Sequence, residues 1–206
     1  MSTAQPAHRR HGRQRRVLIL ALGASLALSA CAPLLPSSPA GGTPAAARTA
    51  LPAFLLEGRL SASDGVQGAS GRLEWQHTPD ADTLVLLSPL GQIAARLDSS
   101  AEGARLSTAD GSIIEAPSAD LLLPRVLNVD IPAARLRLWV QAVTDGSAEV
   151  RLRDTAGRPV LLIDRGWRIE YAAYADDSAQ ALPTRVDISR GDARIRLIAD
   201  SWTILP

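Results

Sequence analysis

The sequence predicts a mainly β domain, in which a strongly curved antiparallel sheet or open β-barrel of about eleven strands is partly covered by helices. Three features indicate this class. Apolar and polar residues alternate through most of the chain from residue 54 onward, which is the period of a half-buried strand. Gly, Pro and Asp residues separate many of the alternating segments. One stretch, residues 118–140, changes instead to the spacing of a helix.

The first half of the domain predicts six strands. Residues 83–88 form a more uniformly apolar strand, which ends at the break Pro89-Leu90-Gly91. Asp110-Gly111 lies between the last two strands and is a strong hairpin signal. The six predicted strands are 54–63, 69–76, 83–88, 93–98, 103–108 and 112–116.

The helical stretch predicts two helices. Ser118 is a candidate N-cap for the first, and Pro124 is expected to kink or shorten that helix. Pro132 suits the first turn of the second helix, in which three apolar residues share one face: Leu136, Trp139 and Val140. Strands then return, at 150–153, 159–164, 167–171, 186–188 and 194–197.

Residues 1–30 have the order of a secretory signal peptide, with a basic block at 8–16, an apolar run at 17–28 and two small residues. The apolar run is shorter than the about 20 residues that a membrane-spanning helix needs. Leu28-Ser29-Ala30-Cys31 resembles the lipobox at which bacterial lipoproteins are cleaved and acylated. We therefore expect lipid attachment at Cys31, the only cysteine of the chain. The alternative is an ordinary signal peptide followed by a chance cysteine.

The chain after the leader divides into two parts. Residues 31–50 carry the lipidated cysteine and a tether rich in Pro, Ala, Ser and Gly without periodicity. Residues 51–206 have the size of one folded domain. Five of the 22 basic residues lie in the leader, so the part from residue 31 onward has 17 basic and 21 acidic residues and a net charge of −4. That balance argues against a nucleic-acid partner.

The residues give no positive reason to expect an enzyme. His77 is the only histidine after the leader, and we interpret it as a surface or strand-end residue. A metal site needs several His, Cys or carboxylate ligands at suitable spacing, and no such cluster is present in the sequence. Neither a phosphate loop nor a Gly-x-Gly-x-x-Gly segment occurs. We therefore predict no catalytic residues, no metal and no cofactor.

A series of short motifs follows the lipobox over residues 51–206. The motifs are Glu57-Gly58-Arg59-Leu60, Ser70–Gln76, Ser88-Pro89-Leu90-Gly91, Ile131-Pro132, Leu136–Trp139, Trp167–Tyr171 with Tyr174, Leu182-Pro183, and Arg194–Leu197 leading to Trp202. In order and spacing, this series resembles the outer-membrane lipoprotein receptors of the LolB family.

The resemblance implies a fold and a function. LolB-like proteins are open barrels with a helical lid over an apolar cavity. They accept acylated lipoproteins from the periplasmic carrier LolA and insert them into the inner leaflet of the outer membrane. The implied partners are therefore LolA, the acyl chains of cargo lipoproteins and outer-membrane phospholipid, for a monomer anchored at Cys31 and facing the periplasm. Ala32, rather than an aspartate, follows the cysteine, which agrees with outer-membrane sorting in enteric bacteria.

Two groups of site residues follow from the resemblance and the alternation. The turn Pro89-Leu90-Gly91 is the expected membrane-delivery loop, with Leu90 projecting into solvent; the alternative is that Leu90 folds back into the core. The inward apolar residues are candidates for the acyl-chain cavity, although any of them could simply fill the core. These candidates are Leu73, Trp75, Leu84, Leu86, Ile93, Leu136, Trp139, Trp167, Ile169, Ile195 and Leu197.

Two other functional classes stay open. One is a structural or assembly lipoprotein of the envelope that binds another protein and carries no lipid cargo. A filled interior would favour that class, and an apolar cavity large enough for acyl chains would argue against it. The other is an anchored hydrolase, against which the single histidine counts.

Overall fold

The computed structural model describes residues 48–206. The predicted signal peptide, Cys31 and most of the predicted tether lie outside the described residues. Within the described part, one antiparallel sheet of eleven strands accounts for most of the chain. The strands are β1 (Phe54–Ser63), β2 (Gly68–His77), β3 (Ala81–Leu87), β4 (Ile93–Ser100), β5 (Gly103–Thr108), β6 (Ile113–Ala116), β7 (Glu149–Arg153), β8 (Pro159–Asp164), β9 (Trp167–Tyr174), β10 (Pro183–Arg190) and β11 (Ala193–Ile204).

The sheet is built from two runs of hairpins joined at its centre. Its order is β6-β5-β4-β3-β2-β1-β11-β10-β9-β8-β7. β1 pairs with β2 on one side and with β11 on the other, so the first and last strands of the domain are neighbours. The two end strands, β6 and β7, do not pair with each other, and the sheet is therefore open. The predicted mainly β, open antiparallel fold of about eleven strands is confirmed.

The helical segment lies between the two runs of hairpins. A 3₁₀ turn at Ala119–Leu121 precedes α1 (Leu123–Leu127), and α2 (Ala133–Val140) follows. Pro124 occupies the first turn of α1, where its missing amide hydrogen costs least, and α1 is as short as expected. Among the described residues, no helix has the length and apolar character needed to cross a membrane.

The predicted capping role of Ser118 is wrong. Its side chain makes no capping hydrogen bond. Instead its backbone oxygen accepts from the amide of Leu121 at 3.3 Å, which closes the 3₁₀ turn. This 3₁₀ turn lies between Ser118 and α1, so Ser118 does not stand at the start of an α-helix.

Alternation along the strands determines which side chains are buried. On β1, Phe54, Leu56 and Leu60 are buried, whereas Arg59 is exposed. The buried sides of the strands and the buried faces of both helices form one apolar core. The predicted helical face of Leu136, Trp139 and Val140 is confirmed, since each of these side chains is 3% exposed or less.

Candidate functional site

An apolar cavity lies between the helical segment and the inner face of the sheet. Strands from both runs of hairpins line it, β1 to β4 on one side and β10 and β11 on the other, which requires the sheet to curve around it. The lining residues are Leu60, Leu73, Trp75, Leu84, Leu86, Ala95, Leu97, Leu123, Val126, Leu127, Leu136, Val140, Ile188, Ile195 and Leu197.

The cavity is apolar but narrow. None of the lining residues is charged. Its volume is about 20 Å³, which is room for about one water molecule. Sites for drug-sized ligands measure about 300–1,000 Å³. In this conformation the helices therefore close the cavity against anything as large as an acyl chain.

Most of the eleven sequence-predicted cavity residues lie close to this space. Seven of them contribute to the lining: Leu73, Trp75, Leu84, Leu86, Leu136, Ile195 and Leu197. Trp139, Trp167 and Ile169 are fully buried but lie outside that lining. The indole rings of Trp139 and Trp167 contact each other instead, with centroids 5.8 Å apart.

The prediction that Ile93 faces the cavity is wrong, because its side chain is 52% exposed. The pairing of β3 with β4 shifts register between Leu86 and Leu87, so that Leu86 faces Ala95 and Leu87 faces Ile93. Such a bulge places two residues of one strand opposite one of the other and interrupts the alternation. Ile93 therefore does not follow Ala95 to the buried side.

The helices contribute cavity residues that the sequence analysis did not select. Leu123, Val126 and Leu127 of α1 and Val140 of α2 all line the cavity. Four strand residues were also missed, although each falls on the apolar side of an alternating strand: Leu60, Ala95, Leu97 and Ile188. The sequence signal for the apolar face of α1 was weaker, because a helix of five residues has too few turns to show a periodic apolar pattern.

Polar contacts fix α2 to the second run of hairpins. Asp164, at the end of β8, is fully buried. Its Oδ2 accepts hydrogen bonds from Arg135 Nε at 2.7 Å and from Trp139 Nε1 at 2.9 Å. The hydroxyl of Tyr171 on β9 donates to the backbone oxygen of Trp139 at 2.9 Å. α2 is thus joined to β8 and β9 by directional bonds in a dry environment, where such bonds are strong.

Two ionisable groups beside α2 are shifted by these contacts. The Arg135 guanidinium also bonds to Asp145, and together with the Ser147 hydroxyl and amide it lowers the pKa of the Asp145 carboxyl. Burial raises the pKa of Tyr171 well above its usual value. Asp145 is therefore ionised and Tyr171 protonated at neutral pH.

α1 is attached to the sheet in a different way. Among the described residues, no hydrogen bond or ion pair joins α1 to a strand. Its Leu123 and Leu127 side chains, 2% and 3% exposed, contact the core only through apolar surface. Apolar contacts are non-directional, so α1 can shift without leaving a buried polar group unpaired.

The turn Pro89-Leu90-Gly91 lies at the far end of β3. The amide of Ser88 donates to Gln92 O at 2.8 Å, and the amide of Gly91 donates to Ser88 O at 2.9 Å. Gly91 has a φ of 80°, a conformation that is easy for glycine. Leu90 is 87% exposed, so its side chain projects from a closed turn into solvent.

His77 ends β2, as expected, but it is buried rather than on the surface. Its Nδ1 lies 2.9 Å from Asp82 Oδ1, and its ring contacts Phe54 with centroids 5.2 Å apart. Trp75 Nε1 donates to the same carboxylate oxygen at 2.9 Å. Within residues 48–206, no group of three His, Cys, Asp or Glu side chains is close enough to hold a metal ion.

Comparison with known proteins gives consistent matches along this domain. The profile of the family described as "Outer membrane lipoprotein LolB" matches residues 52–202. The outer-membrane lipoprotein LolB of Azoarcus sp. (strain BH72) is 52% identical, over 93% of this chain and 97% of that protein. The protein of the same name from Thiobacillus denitrificans is 35% identical, over 93% of this chain and 100% of that protein. Among solved structures, the LolA superfamily protein NE2245 from Nitrosomonas europaea superposes with a TM-score of 0.49 at 10% identity, covering 77% of this chain and 89% of that one.

Proposed function

Because the chain belongs to the outer-membrane lipoprotein LolB family, we propose that it is an outer-membrane lipoprotein receptor. It accepts acylated lipoproteins from the periplasmic carrier LolA and inserts them into the inner leaflet of the outer membrane. Lipid on Cys31 anchors it there, with the folded domain facing the periplasm. No bond is made or broken in this transfer, so no catalytic residue is required.

The observation that carries this proposal is the cavity between the helices and the sheet, which is lined without a single charged side chain. Each acyl methylene that leaves water contributes about 0.8 kcal/mol. A lipoprotein with several long chains would therefore lose tens of kcal/mol if its lipid crossed the periplasm in water. An apolar interior shields the chains, and the bilayer is the final and more favourable site.

Cargo binding requires the closed cavity to open, and we propose that α1 is the element that moves. α2 is tied to β8 and β9 through Asp164 and Tyr171, whereas α1 is held by apolar contacts alone. Exposing the side chains of Leu123 and Leu127 would cost about 1.5–3 kcal/mol each. Burial of roughly eight acyl methylenes offsets that cost, so the cargo itself can stabilise the open form.

We assign delivery to the turn that bears Leu90. A leucine that is 87% exposed gains about 1.5–3 kcal/mol on entering the bilayer. That energy is too small to anchor the protein, but it biases where the cargo leaves. Acceptance and delivery then depend on different residues, and they can be separated by mutation.

The test is transfer of a labelled lipoprotein from LolA to the full-length protein in liposomes, without ATP. Leu86→Asp places a carboxylate against the cavity and is expected to lower acceptance strongly, whereas the matched control Leu86→Met keeps it. Leu90→Glu is expected to leave acceptance and thermal stability unchanged and to reduce insertion of cargo into the bilayer. Loss of stability, acceptance and insertion together in Leu90→Glu would contradict the delivery role. A folded wild-type protein that accepts no cargo would contradict the receptor function.

The second candidate function is an assembly lipoprotein that binds an envelope protein and no lipid. The cavity volume of about 20 Å³ favours it, because a filled interior needs no cargo. The two functions differ in the response to a free fatty acid or a detergent chain. A receptor binds such a chain with an affinity that rises with chain length, and the variant Leu86→Asp loses this binding. An assembly protein with a filled core binds no such chain.

A further inference from the structure

Exposed large apolar side chains are concentrated at one end of the sheet. Val66 lies in the β1–β2 turn and is 91% exposed. Leu90 lies in the β3–β4 turn and Ile93 is the first residue of β4. Ile113 is the first residue of β6, and 54% of its surface is exposed. Monomeric proteins tolerate single exposed apolar residues, but a group of them at one place marks an interaction site.

The topology makes these three turns neighbours. Hairpins β1–β2, β3–β4 and β5–β6 follow one another in the sheet, and in each of them the first strand runs toward the same end. Neighbouring hairpins are separated by two strand spacings, or about 10 Å. We call the end of the sheet that carries Val66, Leu90, Ile93 and Ile113 the apolar rim.

The register allows the three turns of the apolar rim to meet a flat surface. Across the ladder Ile113 is level with Val85, while Leu90 and then Val66 lie successively farther along the strands. The stagger is roughly 20–25 Å over about four strand spacings. An inclination of the strands to the membrane normal, of the kind that strands of closed sheets have at about 35–45° to the barrel axis, offsets a stagger of this kind.

The other half of the same end is polar and basic. Exposed Arg165 lies in its β8–β9 turn, and exposed Arg190 and Arg194 lie in β10 and β11 beside the turn between them. Asp192 is the acidic residue of that turn. Arg190 lies over the Trp167 ring at 4.4 Å and donates to a backbone oxygen, and Arg194 also bonds to backbone oxygens. In the described part of the chain, none of these three guanidinium groups has a carboxylate partner. They are available to phosphate oxygens.

The acidic residues Asp64 and Asp110, in the β1–β2 and β5–β6 turns, have local partners. Asp64 Oδ1 accepts from the amides of Val66 and Gln67 at 2.8 and 2.6 Å. Asp110 Oδ1 accepts from the Ser112 amide at 3.0 Å. These carboxylates close their own turns and thereby hold Val66 and the neighbourhood of Ile113 in place.

We propose that the whole apolar rim, and not the Leu90 turn alone, is the surface that contacts the phospholipid bilayer, with Val66 and Ile113 entering it beside Leu90 and the arginines of the neighbouring turns meeting the phosphates. This inference rests on the proposed function and adds the residues and the orientation by which the receptor meets the membrane. Single side chains on separate turns about 10 Å apart suit a fluid surface, since they form no continuous groove for a folded partner.

The position of the chain's entry into the domain agrees with this orientation. Arg48 donates to Ala179 O and Ala181 O at 2.7 Å, at the end of the sheet opposite to the apolar rim. The ten residues of β1 place that end about 33 Å from the rim. The seventeen Cα–Cα steps from Cys31 to Arg48 can span at most about 56–61 Å. The connection is therefore long enough for the rim to face the bilayer that holds the lipid of Cys31.

The first test measures contact without cargo or carrier. The full-length lipoprotein is purified with one cysteine introduced by Val66→Cys, Leu90→Cys or Ile113→Cys and labelled with an environment-sensitive dye, because acylation blocks the thiol of Cys31. Controls are Leu152→Cys and Ile204→Cys, exposed by 55% and 64% on β7 and at the end of β11. In liposomes containing anionic phospholipid, the emission of the rim dyes is expected to shift to shorter wavelength and to be quenched by quenchers attached to the acyl chains. The control dyes are expected to show neither change. Dyes at 66 and 113 that behave like the dye at 204 would overturn the proposal.

The second test links contact to delivery. Val66→Glu and Ile113→Glu are each expected to reduce insertion of cargo into liposomes by about tenfold, with acceptance from the carrier and the melting temperature unchanged. Ile204→Glu is the matched control and leaves insertion unchanged. Normal insertion in both rim variants overturns the proposal while the receptor function stands. Failure of acceptance in the wild type contradicts the receptor function, and the dye measurement still decides whether the rim meets the bilayer.

Discussion

Asp164→Asn tests whether the buried contacts of α2 hold the helical segment on the sheet. Asp164 is fully buried, and its carboxylate accepts from Arg135 and Trp139. Removing one partner of a buried pair leaves the other charge poorly compensated, which typically costs about 3–5 kcal/mol. Because asparagine retains one acceptor oxygen and Arg135 retains Asp145, we expect a loss of about 3 kcal/mol in the free energy of unfolding. For a domain of this size that corresponds to about 6–12 °C in melting temperature.

The matched control is Asp200→Asn. Asp200 pairs with Arg59 at 2.9 Å, but both side chains are largely exposed, at 46% and 63%. Exposed pairs contribute at most about 1 kcal/mol. Thermal and urea unfolding of both variants, monitored by circular dichroism, gives the comparison. Equal shifts in the two variants would refute the assignment of Asp164 as the anchor. The double variant Arg135→Met/Asp164→Leu is expected to recover part of the loss, since it leaves no buried charge on either side of the pair.

Three further outcomes are expected. Cys31→Ser removes the only cysteine that could be acylated, so mass spectrometry of this variant is expected to find no lipid, and fractionation to find soluble or uncleaved protein. In the wild type, an unmodified N-terminus at another residue would contradict the lipoprotein assignment. Asp145 has a lowered pKa because of Arg135, so its ionised form stabilises the fold above the unfolded pKa of about 4 and that contribution is lost as the pH falls below it. The stability difference between wild type and Asp145→Asn should therefore shrink on acidification, and a difference that grows would show the sign to be wrong. Gly58→Ala would bring a Cβ within 2.2 Å of Ile198 O and is expected to lower the free energy of unfolding by about 2–3 kcal/mol. The Cβ of Gly91→Ala meets no atom within 4 Å, so this variant costs only about 1 kcal/mol of backbone strain. A larger loss in Gly91→Ala than in Gly58→Ala, measured by urea unfolding, would contradict this.

Gly58 and Gly91 show how far the sequence motifs reveal why a glycine is needed. Gly58 lies at a register shift between β1 and β11, where the neighbouring backbone leaves no space for a side chain. Gly91 is required for a different reason, the positive φ of its turn. Both belong to motifs that carried the family resemblance, but the sequence does not distinguish a close approach from a left-handed turn.

Local pattern determined the strands, their turns and the helical stretch, because alternation and turn chemistry depend on residues that are near in sequence. It also indicated a leader and a lipidation site in a part of the chain outside the described residues. The alternation also predicted that Leu73, Trp75 and Leu86 lie on the buried side of their strands, and the structure places them around the cavity.

Only the tertiary structure decided which buried residues border the cavity and which fill the core beside it. Trp139, Trp167 and Ile169 have the same pattern as Leu136 and Ile195, yet only the latter two line the cavity. The bulge that exposes Ile93, the pairing of Arg135 with Asp164 across 29 residues, and the grouping of Val66 with Ile113 at one rim are likewise decided by register and closure. A period of two specifies the face of a strand, but not the neighbours that the curved sheet brings to that face from distant parts of the chain.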